Sequence, residues 1–203
     1  MTSNEEHCTL HGEFVDLRPL RPEDAALTLA WRQGERAALL HRGATTVDEQ
    51  RRWIASRPAS EYNFVIQTKQ QVPIGMLSLS GIDPVNRVGE PGRFLIGDEQ
   101  AAAGLPAAAE AMKLLYELAF DRLRLRRVWG TVVSENRRMI KWQTYLGMVQ
   151  EGRLRQHLFI DGRLQDAVVF GLLENEYREV TRPRLESLIA AARLPLAPSV
   201  SPE

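Results

Sequence analysis

Apolar positions follow two different periods along the chain, which divides it into predicted strands and helices. Residues 14–20 alternate apolar and polar side chains, as a half-buried strand does. Pro22, with two acidic residues after it, predicts the start of a helix. Thr46 and Glu49 have the spacing of a capping box, which predicts a second, short helix that carries Trp53.

The middle of the chain combines a hairpin pattern with one long helical stripe. Residues 62–79 read as two strands separated by the polar run 69–71. Residues 93–97 continue this sheet after a turn that the sequence predicts at 89–92. From Leu105 to Leu123 apolar residues recur three and four positions apart, which indicates a long amphipathic helix.

Further strands and helices complete the C-terminal third. Residues 128–133 form a short apolar strand, and the next helix is predicted to begin after Asn136 as its cap and to end at Gly147. The Asp-Gly pair at 161–162 suits a hairpin turn, and a terminal helix follows around residues 185–193. This alternation predicts a mixed α/β fold.

The length of 203 residues suits one domain with short extensions, because a single core of this size already buries most of the apolar surface. We expect an N-terminal tail at 1–11, a domain at 12–177, and a C-terminal helix with a frayed end at 178–203. The terminal segment 185–194 can cover either a second copy of the chain or its own sheet, which leaves a homodimer open.

The composition narrows the class of protein without naming a function. The 26 basic and 26 acidic side chains cancel, so no broad positive field attracts nucleic acid or a membrane surface, and neither partner is expected. The single cysteine, Cys8, cannot form an internal disulfide, and the first ten residues lack the pattern of a secretory signal. With no long apolar run, a cytoplasmic protein is expected. Histidine and cysteine show no metal-ligand spacing, so we expect no metal.

A loop rich in small residues stands out between the strand at 93–97 and the long helix. Small side chains let a backbone approach a ligand closely, and the first N–H groups of a helix have no partner within it. Gly104, Leu105, Ala107 and Ala108 would present such amides to an anion, whereas Pro106 has none. The alternative is an ordinary loop and cap with alanines that favour a helix.

The order of this loop, the long helix, the strand at 128–133, Asn136 and the segment 146–148 resembles the GNAT superfamily of N-acetyltransferases. The likeness is strongest to its ribosomal-protein alanine and amino-sugar branch, and it covers roughly residues 12–177. It implies a strongly twisted mixed sheet of about seven strands flanked by about four helices, with the C-terminal helix added. It also implies acetyl-CoA as cosubstrate and a primary amine as acceptor.

In this family the pantetheine arm of the cofactor lies between two splayed strands, here those at 93–97 and 128–133. The resemblance therefore assigns cofactor contacts to Phe94, Leu95, Ile96, Ala103, Gly104, Leu105, Ala107, Ala108 and Asn136. The chain departs from the family pattern at Ala103, where Arg or Gln is usual, and lacks a central glycine near Pro106.

Acetyl transfer needs a group that removes a proton from the amine and favours a donor for the leaving thiolate. Glu90 is our candidate base, although a solvated turn carboxylate is the more common role for such a residue. Gln143 stands where the family often has tyrosine, and Asn136 would orient the cofactor. Tyr145 points about 200° away from Gln143 on a helix, so it cannot simply replace it. Gln143 or water would assist the thiolate, unless no acid is needed.

The resemblance places the acceptor pocket on the first two helices and the closing hairpin. The candidate acceptor residues are Trp31, Arg32, Gln50, Trp53, Arg155 and His157. The tryptophans can equally be core residues, and Arg155 and His157 can occupy an exposed strand face. The acceptor would be a small-molecule amine, such as a nucleotide-linked amino sugar, or a protein N-terminal amine. A catalytically silent acyl-CoA-binding module is the alternative, suggested by Ala103, Pro106 and Gln143.

Overall fold

One eight-stranded sheet runs through the computed structural model, which describes residues 9–40, 43–160 and 162–193. Its strands are β1 (Leu10–His11), β2 (Val15–Pro19), β3 (Tyr62–Thr68), β4 (Pro73–Asp83), β5 (Val88–Ile96), β6 (Arg127–Val133), β7 (Val149–Ile160) and β8 (Arg163–Leu173). They lie in the order β1-β2-β3-β4-β5-β6-β8-β7, and every neighbouring pair is antiparallel except β5 and β6.

Helices flank this sheet, which confirms the predicted mixed α/β class. They are α1 (Ala25–Gln33), α2 (Val47–Ala55), α3 (Ala107–Tyr116), α4 (Arg137–Leu146), the single turn α5 (Glu174–Glu176) and α6 (Arg182–Ala191). Wider π-helical turns extend α3 through residues 117–122 and join α5 to α6 through residues 177–181. In the described ranges, no helix has the length and apolar character needed to cross a membrane.

The local signals for helix ends are confirmed. The Thr46 hydroxyl accepts a hydrogen bond from the Glu49 amide at 3.2 Å, and the Glu49 carboxylate accepts from the Thr46 amide, as in a capping box. Asn136 caps α4 by accepting from the Met139 amide at 3.1 Å. Gly147 ends α4 with a φ of 98°, a left-handed conformation that glycine adopts without a Cβ clash.

The predicted turn at 89–92 is wrong, because these residues lie inside β5. The chain turns earlier, at residues 84–87. There the Asp83 carboxylate accepts hydrogen bonds from the amides of Val85 at 2.8 Å and Asn86 at 2.9 Å. An aspartate side chain that closes its own turn in this way determines the position of the bend more strongly than the glycines that follow.

Both ends of the described chain belong to the sheet and its core. Leu10 and His11 already form β1, so pairing begins inside the predicted N-terminal tail. At the other end, the predicted boundary after residue 177 falls within a continuous helical segment, where the Tyr177 ring stacks on Phe120 at 4.7 Å. Leu185 of α6 is fully buried in the main core, and α6 packs against α3. The terminal helix therefore covers its own domain.

Three parts of the sequence analysis fall on residues outside the described ranges. They are Cys8, Asp161 of the predicted hairpin turn, and the predicted frayed end at 195–203. Gly162, the second residue of that turn, is described and has a φ of 76°.

A buried carboxylate fixes α3 to the start of β2. Glu110 on α3 is only 4% exposed, and its oxygens accept hydrogen bonds from the amides of Glu13, Phe14 and Val15, each at 2.7 Å. A carboxylate with three backbone donors satisfies amides that would otherwise be buried without a partner. Glu110 therefore holds the long helix in register with the sheet edge.

Replacing Glu110 with alanine should lower the free energy of unfolding by about 2–4 kcal/mol, because three amides lose a charged acceptor. Urea denaturation measures the change. The matched control is Glu117→Ala on the same helix segment, which removes a single ion pair with Lys113 near the surface and should cost less than about 1 kcal/mol. Equal losses for the two variants would contradict the anchoring role of Glu110.

Candidate active site

The central feature of the sheet is a fork between β5 and β6. The two strands run parallel but pair only at Val88 with Arg127 and at Gly89 with Val128. Both strands continue well beyond this point, β5 to Ile96 and β6 to Val133. From residue 90 onward, the backbone groups of β5 that face β6 have no partner on that strand. The fork therefore offers an extended ligand hydrogen-bonding groups of the kind that an added strand would use.

The sequence of β5 explains why the strands separate. Pro91 has no N–H group and cannot continue the ladder. A β-bulge follows, since Leu95 pairs with Met76 and Gly92 pairs with Ser78, which leaves one extra residue on β5. Arg93 lies in this bulge with a φ of 54°, unusual for a residue that is not glycine. The bulge bends β5 away from β6.

A cavity of about 620 Å³ lies beside the fork, and most of the predicted cofactor residues line it. Its wall includes Phe94, Leu95, Ile96, Ala108 and Asn136, all of which the sequence assigned to the cofactor. We call it the cofactor cavity. Strand β5, the start of α3 and the start of α4 thus converge on one space.

The start of α3 presents free backbone donors beside this cavity. Glu110 is the first residue of the helix whose amide bonds back, to Pro106 at 2.9 Å, so within the described chain the amides of Ala107 and Ala108 have no acceptor. The amide of Gly104 is also unpaired among the described residues. The N-terminal end of the helix dipole adds a partial positive charge at this point.

Two amides of the predicted cofactor loop are not available as donors. The Ala103 amide donates to the carbonyl of Gln100 at 3.2 Å, and the Leu105 amide donates to that of Ala102 at 3.1 Å. The loop is wound into consecutive turns after Asp98, whose carboxylate accepts from the Ala101 amide at 2.9 Å. The turns consume these donors, so the prediction of a free Leu105 amide is wrong, and the Ala103 amide is not free either. None of Ala103, Gly104, Leu105 and Ala107 lines the cavity itself.

Helix α4 adds cations and an unpaired donor to the cofactor cavity. Arg138 and Lys141 lie in its wall and make no ion pair with a described residue. The indole N–H of Trp142, also in the wall, is buried and has no acceptor in the described structure. Buried donors are normally paired, so Trp142 is suited to a ligand acceptor. The cavity fits an elongated anion that also carries hydrogen-bond acceptors.

Tyr145, and not Gln143, is the side chain that α4 directs into the cofactor cavity. The wall takes Arg138, Lys141, Trp142 and Tyr145, which recur three and four positions apart and so share one helix face. Gln143 does not line the cavity, and its side-chain oxygen is buried without a described partner. The structure therefore does not bring the predicted Gln143 side chain into the cavity wall.

A second cavity of about 430 Å³ contains three of the predicted acceptor residues. Its wall includes Arg32, Gln50 and Trp53, together with Arg93 of the β5 bulge. We call it the acceptor cavity. Leu40 lines both this cavity and the cofactor cavity, and Arg93 directly precedes Phe94 in the chain, so the two cavities adjoin.

Helix packing determines how the acceptor cavity is built. Gln50 is 2% exposed and donates to the Thr28 hydroxyl at 3.0 Å, which fixes α2 on α1. The Arg93 guanidinium donates to Ser78 Oγ at 3.1 Å and Asn63 Oδ1 at 3.2 Å. The same group lies 5.2 Å from the centre of the Trp53 ring. These contacts hold Arg93 and Trp53 in the wall.

Trp31 does not contribute to the acceptor cavity, contrary to the sequence prediction. It is 8% exposed and packs in a small core cluster with Ala37, Met76 and Leu95. A Cβ at Gly97 would overlap the Trp31 ring, so the glycine leaves the space that the indole fills. The burial of a large aromatic side chain explains this tryptophan fully.

The structure does not bring the predicted acceptor residues Arg155 and His157 to either cavity. Both side chains are exposed on β7, and neither lines either of the two cavities. Strand β7 is the outermost strand of the sheet, with β8 between it and β6. The closing hairpin therefore carries these residues away from the fork.

Glu90 lies where β5 and β6 begin to separate. Its Cγ is 3.9 Å from the position that a Cβ on Gly130 of β6 would occupy. Burial raises the pKa of the Glu90 carboxyl, and the positive charge of Arg93 opposes this shift. A carboxylate with a raised pKa accepts protons more readily than an exposed one. Glu90 lines neither cavity, so it would act at the apex of the fork.

Sequence reasoning missed several residues that the structure brings to the two cavities. Arg93 is positioned by a bulge, and pairing between strands is not visible in a single sequence. Arg138 and Lys141 look like solvated charges on an amphipathic helix. The three-residue spacing from Arg138 through Lys141 was the one signal that could have revealed this face.

Comparison with known proteins agrees with this geometry. The profile of the acetyltransferase (GNAT) domain matches residues 15–149. The uncharacterized N-acetyltransferase p20 of Bacillus licheniformis is 30% identical over 178 residues, which cover 83% of this chain and 98% of that protein. The spermidine N(1)-acetyltransferase of Vibrio cholerae is 28% identical over 118 residues, 58% of this chain and 66% of that protein.

A solved structure shows the same architecture. The crystal structure of a GCN5-related N-acetyltransferase from Brucella melitensis superimposes with a TM-score of 0.74 at 28% identity, covering 89% of this chain and 85% of that one. The resemblance noted in the sequence is thereby confirmed. With its forked sheet and the profile matched over most of its length, this chain belongs to the GNAT family of acetyltransferases.

Proposed function

We propose that this enzyme transfers the acetyl group of acetyl-CoA directly to a primary amine bound in the acceptor cavity. The observation that carries the proposal is the fork, where two parallel strands pair at two positions and then separate beside both cavities. The acceptor is a small-molecule amine, such as an amino sugar, or the amine at a protein N-terminus. Membership of the acetyltransferase family supports the reaction class.

The cofactor cavity fits acetyl-CoA by charge and by hydrogen bonding. The free amides of Ala107 and Ala108 and the cations of Arg138 and Lys141 would bind its phosphates. The unpaired backbone of β5 would bind the pantetheine arm, and the indole N–H of Trp142 would donate to an acceptor on it. Bound acetyl-CoA supplies the activated acetyl group, and the residues of this chain orient it.

Two proton transfers accompany the acetyl transfer, one from the amine and one to the thiolate. The amine nitrogen forms a bond to the acetyl carbonyl carbon, and the carbon–sulfur bond breaks. The amine gives up a proton, for which we propose Glu90 as the acceptor, directly or through water. The CoA thiolate takes up a proton, for which we propose the Tyr145 hydroxyl as the donor. The products are the acetylated amine and free CoA thiol.

Replacing Glu90 with glutamine should lower kcat by about 100-fold or more at neutral pH, because the variant cannot accept the proton. In the wild-type enzyme kcat should rise with pH as Glu90 ionises, and burial places that rise above the usual glutamate range because it raises the pKa. Rates of thiol release across pH measure both effects.

The Glu90→Gln variant should also lose the rise of kcat with pH that the ionisation of Glu90 causes. This loss distinguishes a role in proton transfer from damage to the fold. Removing a charge whose burial is unfavourable should not destabilise the protein at neutral pH, and thermal unfolding checks this. Unchanged kcat and an unchanged pH profile would rule out Glu90 as the base.

Replacing Asn136 with alanine should raise KM for acetyl-CoA several-fold, because the cap that orients the start of α4 is lost. The variant should also lose about 1 kcal/mol of stability. Asn136→Ser provides the matched control, since serine also caps helices and should restore most of both properties. An unchanged KM in the alanine variant would show that the cap does not contribute to cofactor binding.

Replacing Tyr145 with phenylalanine should lower kcat by about tenfold or more with little change in KM for acetyl-CoA, because only the hydroxyl is lost. Gln143→Ala is the comparison, because Gln143 does not line the cofactor cavity. Steady-state kinetics with varied acetyl-CoA distinguishes the two residues. A larger loss of kcat in the Gln143 variant would indicate that Gln143, and not Tyr145, donates the proton to the thiolate.

A further inference from the structure

One leucine side chain lies between the two cavities. Among the residues that the structure describes, Leu40 is the only one that lines both the cofactor cavity and the acceptor cavity. It lies between α1 and α2, just after a short helical turn at Glu35–Ala37. The Leu40 amide donates to the Ala37 carbonyl at 2.9 Å, so this turn fixes the backbone that carries the side chain.

The packing behind Leu40 makes this part of the wall rigid. Leu40 packs against the small buried cluster that contains Trp31 and Leu95, which are 8% and 5% exposed. The Trp31 ring fills the space beside Gly97 that a Cβ there would occupy. A close-packed interior relaxes only in part when a side chain is shortened, so a truncation at Leu40 would leave open space. Trp31 therefore supports the wall from behind.

The acyl group of a bound thioester has to lie close to Leu40. In the proposed reaction the amine attacks the thioester carbonyl, so this carbonyl must be within reach of the acceptor cavity. Phe94 and Leu95 line the cofactor cavity, and Arg93, directly before them in the chain, lines the acceptor cavity. The junction of the two cavities, where Leu40 lies, meets this requirement.

The side chains on the cofactor side of the junction select by size. Leu40, Phe94 and Leu95 present only apolar atoms there, so they distinguish acyl groups by the space that the groups occupy. In an apolar site, one methylene more or less changes binding or rate by about tenfold or more. A branched side chain on a rigid support therefore limits how long an acyl chain can be.

We infer that Leu40 determines the acyl-chain length that this enzyme accepts, because it occupies the space that carbons beyond the acetyl methyl group would need. The inference rests on the proposed acetyl transfer and specifies the acyl donor. The bonds that form and break are those of acetyl transfer, and only the length of the transferred chain is restricted. Acetyl-CoA is accepted, propionyl-CoA is accepted less well, and butyryl-CoA is largely excluded.

Calorimetry with the intact chain tests the inference without an acceptor, using CoA, acetyl-CoA, propionyl-CoA and butyryl-CoA. In the wild-type protein, affinity should fall by about tenfold for each methylene added to acetyl-CoA. Leu40→Ala removes an isopropyl group, which is larger than the extension of butyryl over acetyl. This variant should raise the affinity for butyryl-CoA relative to acetyl-CoA by about tenfold or more. Because each ratio is taken within one variant, a general loss of affinity or rate cancels.

Two further variants separate side-chain size from damage to the wall. Leu40→Met has a similar volume and should keep most of the wild-type discrimination between acyl chains. Leu27→Ala is the matched control, because it makes the same truncation on α1 at a side chain that is 36% exposed and lines neither cavity. The affinity ratios of the Leu27 variant should equal those of the wild-type protein.

Equal wild-type affinities for the three thioesters, or a ratio that Leu40→Ala leaves unchanged, would overturn the inference. A change of the same size in Leu40→Met or Leu27→Ala would also overturn it, because side-chain volume at this position would then not be the cause. Thiol release from acetyl-CoA with a panel of primary amines tests the proposed function separately. No release with any amine would overturn that function, and the calorimetric ratios would still decide the role of Leu40.

Discussion

The separation of β5 from β6 is the constraint on which the rest of the site depends. A continuous parallel pair would satisfy the backbone of both strands and leave no room for a ligand between them. Just beyond the last paired residues, Pro91 has no backbone N–H to donate, and the bulge at Arg93 bends the strand. Backbone groups that would be costly if buried unpaired are left available to a ligand, and we propose that they recognise a thioester carrier.

The same bulge connects the two cavities. Phe94, directly after Arg93 in the chain, lines the cofactor cavity, while Arg93 itself lines the acceptor cavity. One local irregularity thus opens the fork and places a cation beside it. Hydrogen bonds from Arg93 to Asn63 and Ser78 fix that cation from below, so strands β3, β4 and β5 together determine where an acceptor would lie.

Signals carried by neighbouring residues were sufficient for much of the fold and for half of the site. The cap at Asn136 and the prediction that residues 94–96 lie beside a ligand cavity needed only local patterns and a family resemblance. Arg155 and His157 failed because their distance from the fork depends on strand order, which no short segment encodes. Residues 89–92 have the composition of a turn, yet they lie inside β5, where the proline lacks a backbone N–H to donate.

The two halves of the site differ in what holds a ligand, and this explains how the chain can depart from the family's loop pattern. At α3 the donors are backbone amides, which remain free at Ala107 and Ala108 whatever side chains precede them. The acceptor cavity is formed mainly by side chains, with Arg32 and Arg93 as its charged groups and Trp53 as its aromatic one. If the proposed function holds, the backbone donors would tolerate substitutions in the loop, whereas substitutions in the acceptor wall would change the substrate. A fold shared with a spermidine N(1)-acetyltransferase does not by itself determine the acceptor of this chain.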